Sequence, residues 1–348
     1  MYDQILPIYH PTSVVFVDDQ LSSLYTLNAL LPPNLAFQCF QSQSLALQAI
    51  NGVTPSQFSP FSAYPDSEHS LPARPAINVD LGSFAKILSN PNRFSEISAV
   101  IVDYNMPGMN GLELCQRIQN PSIRKIILTA AADEKLAVDA FNNGLIDGFI
   151  QKLDPDVLEK ISVMLHTAGQ RYFQQMNARA EVLRGIRLGF LHDFGFIELF
   201  RKICEERKIV EHYVTANPDG VLMVDADADM TLLAVFTEDE LQSQYEIASD
   251  QNAPRPLLEA LKSREFVFWY GVDGFYNPQC TNWKSHLYPA QRLLDHPGRF
   301  HAIINDPLLM PIGEIHPYNT YLKNAKKLSM ANIAAQLTQN SSPSFGLS

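Results

Sequence analysis

Asp18, Asp19, Asp103, Thr129 and Lys152 are the residues of this chain whose types and order could do chemistry together. An acidic pair, a single Asp, a hydroxyl and a Lys suffice to hold a divalent cation and accept a phosphoryl group. A carboxylate can act as nucleophile and form an acyl phosphate. Phosphoryl transfer asks little else of a protein than positioning and charge neutralisation. Mg²⁺ takes oxygen ligands in near-octahedral array, and carboxylates supply them. The Lys ammonium is a point cation that pairs with phosphoryl oxygens. A Thr hydroxyl can bond a phosphoryl oxygen only once one is present, so it can bias a conformational equilibrium.

These residues need elements that bring them to one place. Ser13–Val17 is a short β-branched run, read as a buried strand ending at Asp18. Ala99–Val102 leads to Asp103, Lys125–Leu128 to Thr129, and Phe149-Ile150 to Lys152. Helical patterns fall between them: Leu24, Leu27 and Leu31 on one face before Pro32-Pro33, then 44–50, 110–118 and 133–143, the last stopped by Gly144. Asp154 with Pro155 reads as a helix start. Strands alternating with helices imply right-handed βαβ crossovers and a parallel sheet. Ligands bind such sheets at the carboxyl ends of the strands, where all five residues fall. Residues 51–79 interrupt the alternation with Pro55, Pro60, Pro65, Pro72 and Pro75, and read as an irregular insertion.

The segments VFVDDQ, IVDYNMPGMNGLEL, ILTA and GFIQK resemble, in order, the motifs of CheY-like response-regulator receiver domains. The resemblance implies a doubly wound, five-stranded parallel sheet of the CheY/flavodoxin kind. It implies that Asp103 is the phosphoacceptor and that Mg²⁺ is held by Asp18, Asp19, Asp103 and the backbone carbonyl of Asn105. Thr129 and Lys152 complete the catalytic set, and Thr129 with Phe149 would form the switch. A sensor histidine kinase would be the phosphodonor. The chain departs from the family in its insertion and in having Leu153, not Pro, after the Lys.

The division expected is a receiver over 1–170 with the insertion at about 51–95, a helical connector over 171–190, an α+β output domain over 191–330 with a mainly antiparallel sheet, and a flexible tail over 331–348. Helical periodicity runs from 154 to Ile186, long enough for a rigid connector or a dimerising helix that makes a homodimer. In the output region Glu211–Thr215, Val221–Val224, Thr231–Phe236, Phe266–Tyr270 and Phe300–Ile304 read as strands, with helices near 196–204, 240–248 and 256–263. No helix–turn–helix pattern and no recognisable catalytic set is visible there. Asp225, Asp227 and Asp229 alternate as in a calcium loop, but the Gly and distal Glu are not at the required spacing, so a solvated turn is the reading. His192-Asp193 reads as structural.

The formal net charge is −11, with 10 basic against 16 acidic residues up to position 173 and 16 against 21 beyond it. Neither half offers a basic surface, which argues against direct DNA binding. Four scattered cysteines and no apolar run long enough for a membrane fit a cytoplasmic protein. The segment ADEKLAVDAFNNGLIDGFIQK, with an output that is not helix–turn–helix, is similar to regulators of the Legionella quorum-sensing kind. The leading reading is therefore a two-component response regulator, not an enzyme, whose output acts through protein or ligand contacts. A receiver-gated enzyme, or a nucleotide- or nucleic-acid-binding output, is the alternative.

Overall fold

The computed structural model describes residues 5–53, 62–63, 77–78, 87–130, 133–181, 188–216, 218–271, 274–294, 296, 298–305, 307, 315–327 and 329. Contacts separate two compact units, one drawn from 11–57, 92–175 and 319 onward, the other from 1–10, 58–91 and 176–318.

In the first unit β2 (Ser13–Val17), α1 (Leu21–Leu30), β3 (Ala36–Phe40) and α2 (Gln43–Gly52) come first. After the insertion follow β6 (Ile97–Asp103), α3 (Gly111–Gln116), β7 (Arg124–Thr129), α4 (Glu134–Asn142), β8 (Gly148–Gln151) and α5 (Val157–Glu181), whose residues from 176 on belong to the second unit. The five strands are parallel, in the order β3-β2-β6-β7-β8. This is the CheY-like sheet expected. Every residue of β2 and β6 is buried, because helices cover both faces. The two-residue period of a strand divides them cleanly. Val15, Val17, Val100 and Val102 enter one cluster with Ala46 and Ile50 of α2, Leu114 of α3 and Ala140 of α4. Val14, Phe16, Ala99 and Ile101 enter the other with Leu24 of α1 and Ile161, Leu165 and Ala168 of α5.

Local chemistry sets the helix ends. Asn110 accepts from the Glu113 amide while the Glu113 carboxylate accepts from Asn110 N–H, a capping box that starts α3 just past the β6 end. Gly144, at φ +69°, takes the left-handed conformation after α4. The helix expected from Asp154-Pro155 begins instead at Val157. Asp154 Oδ1 accepts from the Asp156 amide, so the side chain closes a turn before the helix.

The second unit holds α6 (Phe194–Arg207), β9 (Ile209–Ala216), β10 (Asp219–Asp225), β11 (Met230–Thr237), α7 (Glu238–Asp250), α8 (Arg255–Ser263), β12 (Phe266–Phe268), β13 (Leu287–Pro289), β14 (Gln291–Arg292) and β15 (Arg299–Asn305). Its main sheet is antiparallel, in the order β1-β9-β10-β11-β15-β14, where β1 is Ile8–Tyr9. The α+β output with an antiparallel sheet is thus present. Phe196, Phe200 and Ile203 of α6 pack on Val214, Val221, Met223, Leu233 and Val235 of the sheet. The strand expected at 266–270 ends at Phe268. Ser62–Ala63 (β4) and Ile77–Asn78 (β5) of the insertion pair antiparallel. The sequence pattern also predicts a short amphipathic helix over Leu81–Leu88, which falls mostly outside the described residues.

Three segments lie elsewhere than expected, the first being residues 58–91 of the insertion, assigned by sequence to the receiver but grouped by contacts with the output unit. Residues 5–10, assigned by sequence to the receiver, belong to the output sheet, because Ile8 and Tyr9 pair with Tyr213 and His212. A helix over 318–327 (α9), assigned by sequence to the output, packs within the receiver unit from Asn319 on. Tyr321 meets Ser13 hydroxyl to hydroxyl at 2.8 Å and lies against Phe94, while Lys326 Nζ donates to the Pro33 carbonyl. The tail at 331–348 lies outside the described residues.

Candidate functional site

The carboxyl ends of β2, β6, β7 and β8 bring all five predicted residues to one end of the parallel sheet. Asp18 follows the last residue of β2, Asp103 ends β6, Thr129 ends β7, and Lys152 follows β8. Lys152 Nζ stands 2.9 Å from Asp18 Oδ2 and 2.9 Å from Asp103 Oδ2. Asp18, Asp103 and Thr129 are buried, whereas the Lys152 side chain keeps 27% of its surface, so solvent reaches the site from the Lys side.

Asp18, Asp19 and Asp103 each offer one carboxylate oxygen within 4.8 Å of the others. Asp19 Oδ1 is buried and has no hydrogen-bond partner. A buried carboxylate oxygen without a donor is costly unless a cation satisfies it. The donor set therefore fits a hard divalent ion, which wants carboxylate oxygens. Asp18 Oδ1 accepts from the Gln20 amide, and Asp103 Oδ1 from the Asn105 amide at 3.4 Å, which fixes both carboxylates near their strand ends.

Burial pushes the Asp103 carboxyl above its ordinary range, and the Lys152 ammonium only partly offsets that. Burial pulls Lys152 the other way, but Asp103 and Asp18 together outweigh it and hold the ammonium above its ordinary range. The 2.9 Å contacts of its Nζ with both carboxylates are the cause.

Thr129 is fully buried, and its hydroxyl donates to the Ala130 carbonyl at 3.0 Å. Phe149 is half-buried against the α2–α3–α4 side of the core, its ring edge-on to Phe141 at 6.5 Å. Lys152 N donates to the Thr129 carbonyl, which ties the Lys loop to the end of β7. Leu153 in that loop is 91% exposed, so the position that departs from the family faces solvent.

Three contributors escaped the sequence reading. Gln41, just past β3, donates Nε2 to the Asp19 carbonyl at 2.8 Å. Its place at a strand end was the available signal. Asp133 accepts from Asn105 Nδ2 at 2.5 Å and joins the loop after β7 to the loop after β6. Gly111 lies against the strand end: a Cβ there would sit 2.4 Å from the Asp103 carbonyl oxygen.

Comparison with known proteins bears on this arrangement. The response regulator receiver domain family matches residues 76–162. Transcriptional regulatory protein ResD of Bacillus subtilis is 31% identical over 97 residues, which span 27% of this chain and 40% of ResD. The solved structure of the Legionella pneumophila response regulator LqsR superposes with a TM-score of 0.67 at 35% identity, covering 92% of this chain and 95% of that one. This chain belongs to the response regulators. The response-regulator likeness to LqsR extends through the output unit, while the likeness to ResD spans less than half of that relative. The family match starts inside the insertion and so leaves out the Asp18-Asp19 segment, which the parallel pairing of β2 with β6 returns to the site.

Proposed function

We propose that a sensor histidine kinase phosphorylates this response regulator on Asp103 with Mg²⁺, and that the modification switches the output unit. The observation that carries this reading is the Lys152 ammonium held 2.9 Å from both Asp18 and Asp103, beside the unsatisfied Asp19 oxygen. Asp103 is the nucleophile: its carboxylate forms the new O–P bond as the P–N bond of a phosphohistidine breaks, with no proton to remove from the attacking oxygen. Lys152 pairs with a phosphoryl oxygen. Asp18, Asp19, Asp103 and the Asn105 carbonyl would hold Mg²⁺, which would supply charge neutralisation for the phosphoryl group. Thr129 gives up its bond to the Ala130 carbonyl and donates to the phosphoryl oxygen, and Phe149 follows into the space this opens. The chain is a phosphoacceptor rather than an enzyme, and its output acts through protein or ligand contacts. Its likeness to LqsR supports a place in quorum-sensing signalling, with a homodimer as one output state. Among the described residues no helix is long and apolar enough to cross a membrane.

The test is transfer from a radiolabelled phosphohistidine kinase in Mg²⁺ and in EDTA. Label should reach the wild type only with Mg²⁺ and never reach Asp103→Asn. Label retained in Asp103→Asn would place the acceptor elsewhere.

A further inference from the structure

In the output unit a cavity of about 420 Å³ opens where four strand ends meet: the start of β9, the end of β10, the start of β11 and the end of β15. It is lined by Arg207, Ile209, Asp225, Asp229, Met230, Thr231 and Asn305. The volume lies in the range of small-molecule sites.

The charged groups are held, yet not by each other. Arg207 Nη1 donates to Thr231 Oγ1 at 2.7 Å and to Asn305 Oδ1 at 2.6 Å, which orients the guanidinium and leaves Nη2 and Nε without a partner among the described residues. Asp225 Oδ1 accepts the amides of Asp227 and Asp229, both at 2.9 Å, which leaves Oδ2 without one. The Asp229 carboxylate also has no partner among the described residues. Arg207 pairs with neither Asp, although all three line one cavity. Free side chains of opposite charge sharing a hollow would ordinarily close on one another.

The backbone is irregular just here. The β9–β10 register shifts between Val224 and Asp225, so β9 carries an extra residue and Asp225 is re-aimed. Lys208, the C-cap of α6 next to Arg207, and Ala228, next to Asp229, take left-handed conformations at φ 55° and 76° though neither is glycine. Irregularity of this kind is retained where the surroundings over-determine it.

We infer that this cavity binds a small zwitterion of net positive charge, of the class of the basic amino acids. One guanidinium faces two carboxylates. The complement is one anionic group, set on the free edge of Arg207, and two cationic groups, set on Asp225 and Asp229. Ile209 and Met230 supply apolar wall for the methylenes between them. A bidentate guanidinium–carboxylate pair fixes the orientation.

Isothermal titration of the full-length protein with L-arginine, L-lysine and L-ornithine tests this, with agmatine (no carboxylate) and L-glutamate as comparators. At least one basic amino acid should bind saturably, at least 10-fold tighter than agmatine and with glutamate not binding. Arg207→Gln should weaken that amino acid at least 10-fold and leave agmatine unchanged, whereas Asp225→Asn should weaken both. Asn305→Ala, at an exposed strand end, should reproduce part of the Arg207→Gln loss without touching the core. Absence of binding by all three basic amino acids at 5 mM (on the order of millimolar affinity) would overturn the proposal, as would agmatine binding as tightly as they do.

Discussion

At the scale of single residues, the site depends on an ammonium that neutralises two buried carboxylates. Removing it should leave Asp18 and Asp103 facing each other without a counter-charge. Lys152→Ala should therefore be destabilised by on the order of 3 kcal/mol without a divalent cation. Millimolar Mg²⁺ should recover more stability in the variant than in the wild type. Equal Mg²⁺ shifts in thermal melts of the two proteins would mean that the cation does not share this site. The Lys and the three Asp residues were legible in the sequence, because each is a charge at the end of a buried apolar run. Gln41 and Asp133 were not. Gln41 acts on a backbone carbonyl and Asp133 through the Asn105 amide, and no residue pattern marks bonds of that kind.

The elements carry two consequences of close packing. Gly111 starts α3 against the β6 carbonyl at Asp103, so Gly111→Ala must push the helix away from the strand. It should cost about 1–3 kcal/mol and slow phosphoryl incorporation even where the protein still folds, which thermal melts and phosphorylation kinetics would show together. Unchanged kinetics would mean that α3 does not position Asp103. In the output sheet His212 is wholly buried between Tyr9 and Phe200, its Nε2 donating to the Leu6 carbonyl at 3.0 Å. Burial lowers its pKa from the ordinary 6.5 to about 4, partly offset by that bond. The unfolded chain thus binds the proton first as pH falls, so stability is full above about 6.5 and drains away between 6.5 and about 4. His212→Gln should flatten that acid loss in melts from pH 7.5 to 5; an unchanged slope would place the acid sensitivity elsewhere. The β2, β6 and β7 runs were legible because strands buried on both faces are uniformly apolar. Strand β1 was not, since two residues carry no period and only the partner strand defines them.

For the whole molecule, the chain crosses between its two units several times, so neither is a contiguous piece of sequence. The output sheet takes its edge strand from residues 8–9, and the receiver takes α9 from beyond the output unit. A chain ending at residue 317 should retain the five-stranded sheet but lose the Tyr321–Ser13 and Lys326–Pro33 bonds. Its receiver should melt at lower temperature and exchange amide hydrogens faster in β2 and β3, as hydrogen-exchange mass spectrometry would reveal. Protection equal to the full chain would mean that α9 adds nothing to the receiver. A linear division at 170 and 190 was the natural reading, because periodicity reports local structure and says nothing of which distant segment completes a sheet. The proposed switch requires that Asp103 accept a phosphoryl group. Intact mass after incubation with acetyl phosphate and Mg²⁺, run beside Asp103→Asn, tests that most directly. A gain of one phosphoryl group in the wild type, absent from the variant and from a sample in EDTA, is the predicted result. The same gain in Asp103→Asn would contradict it.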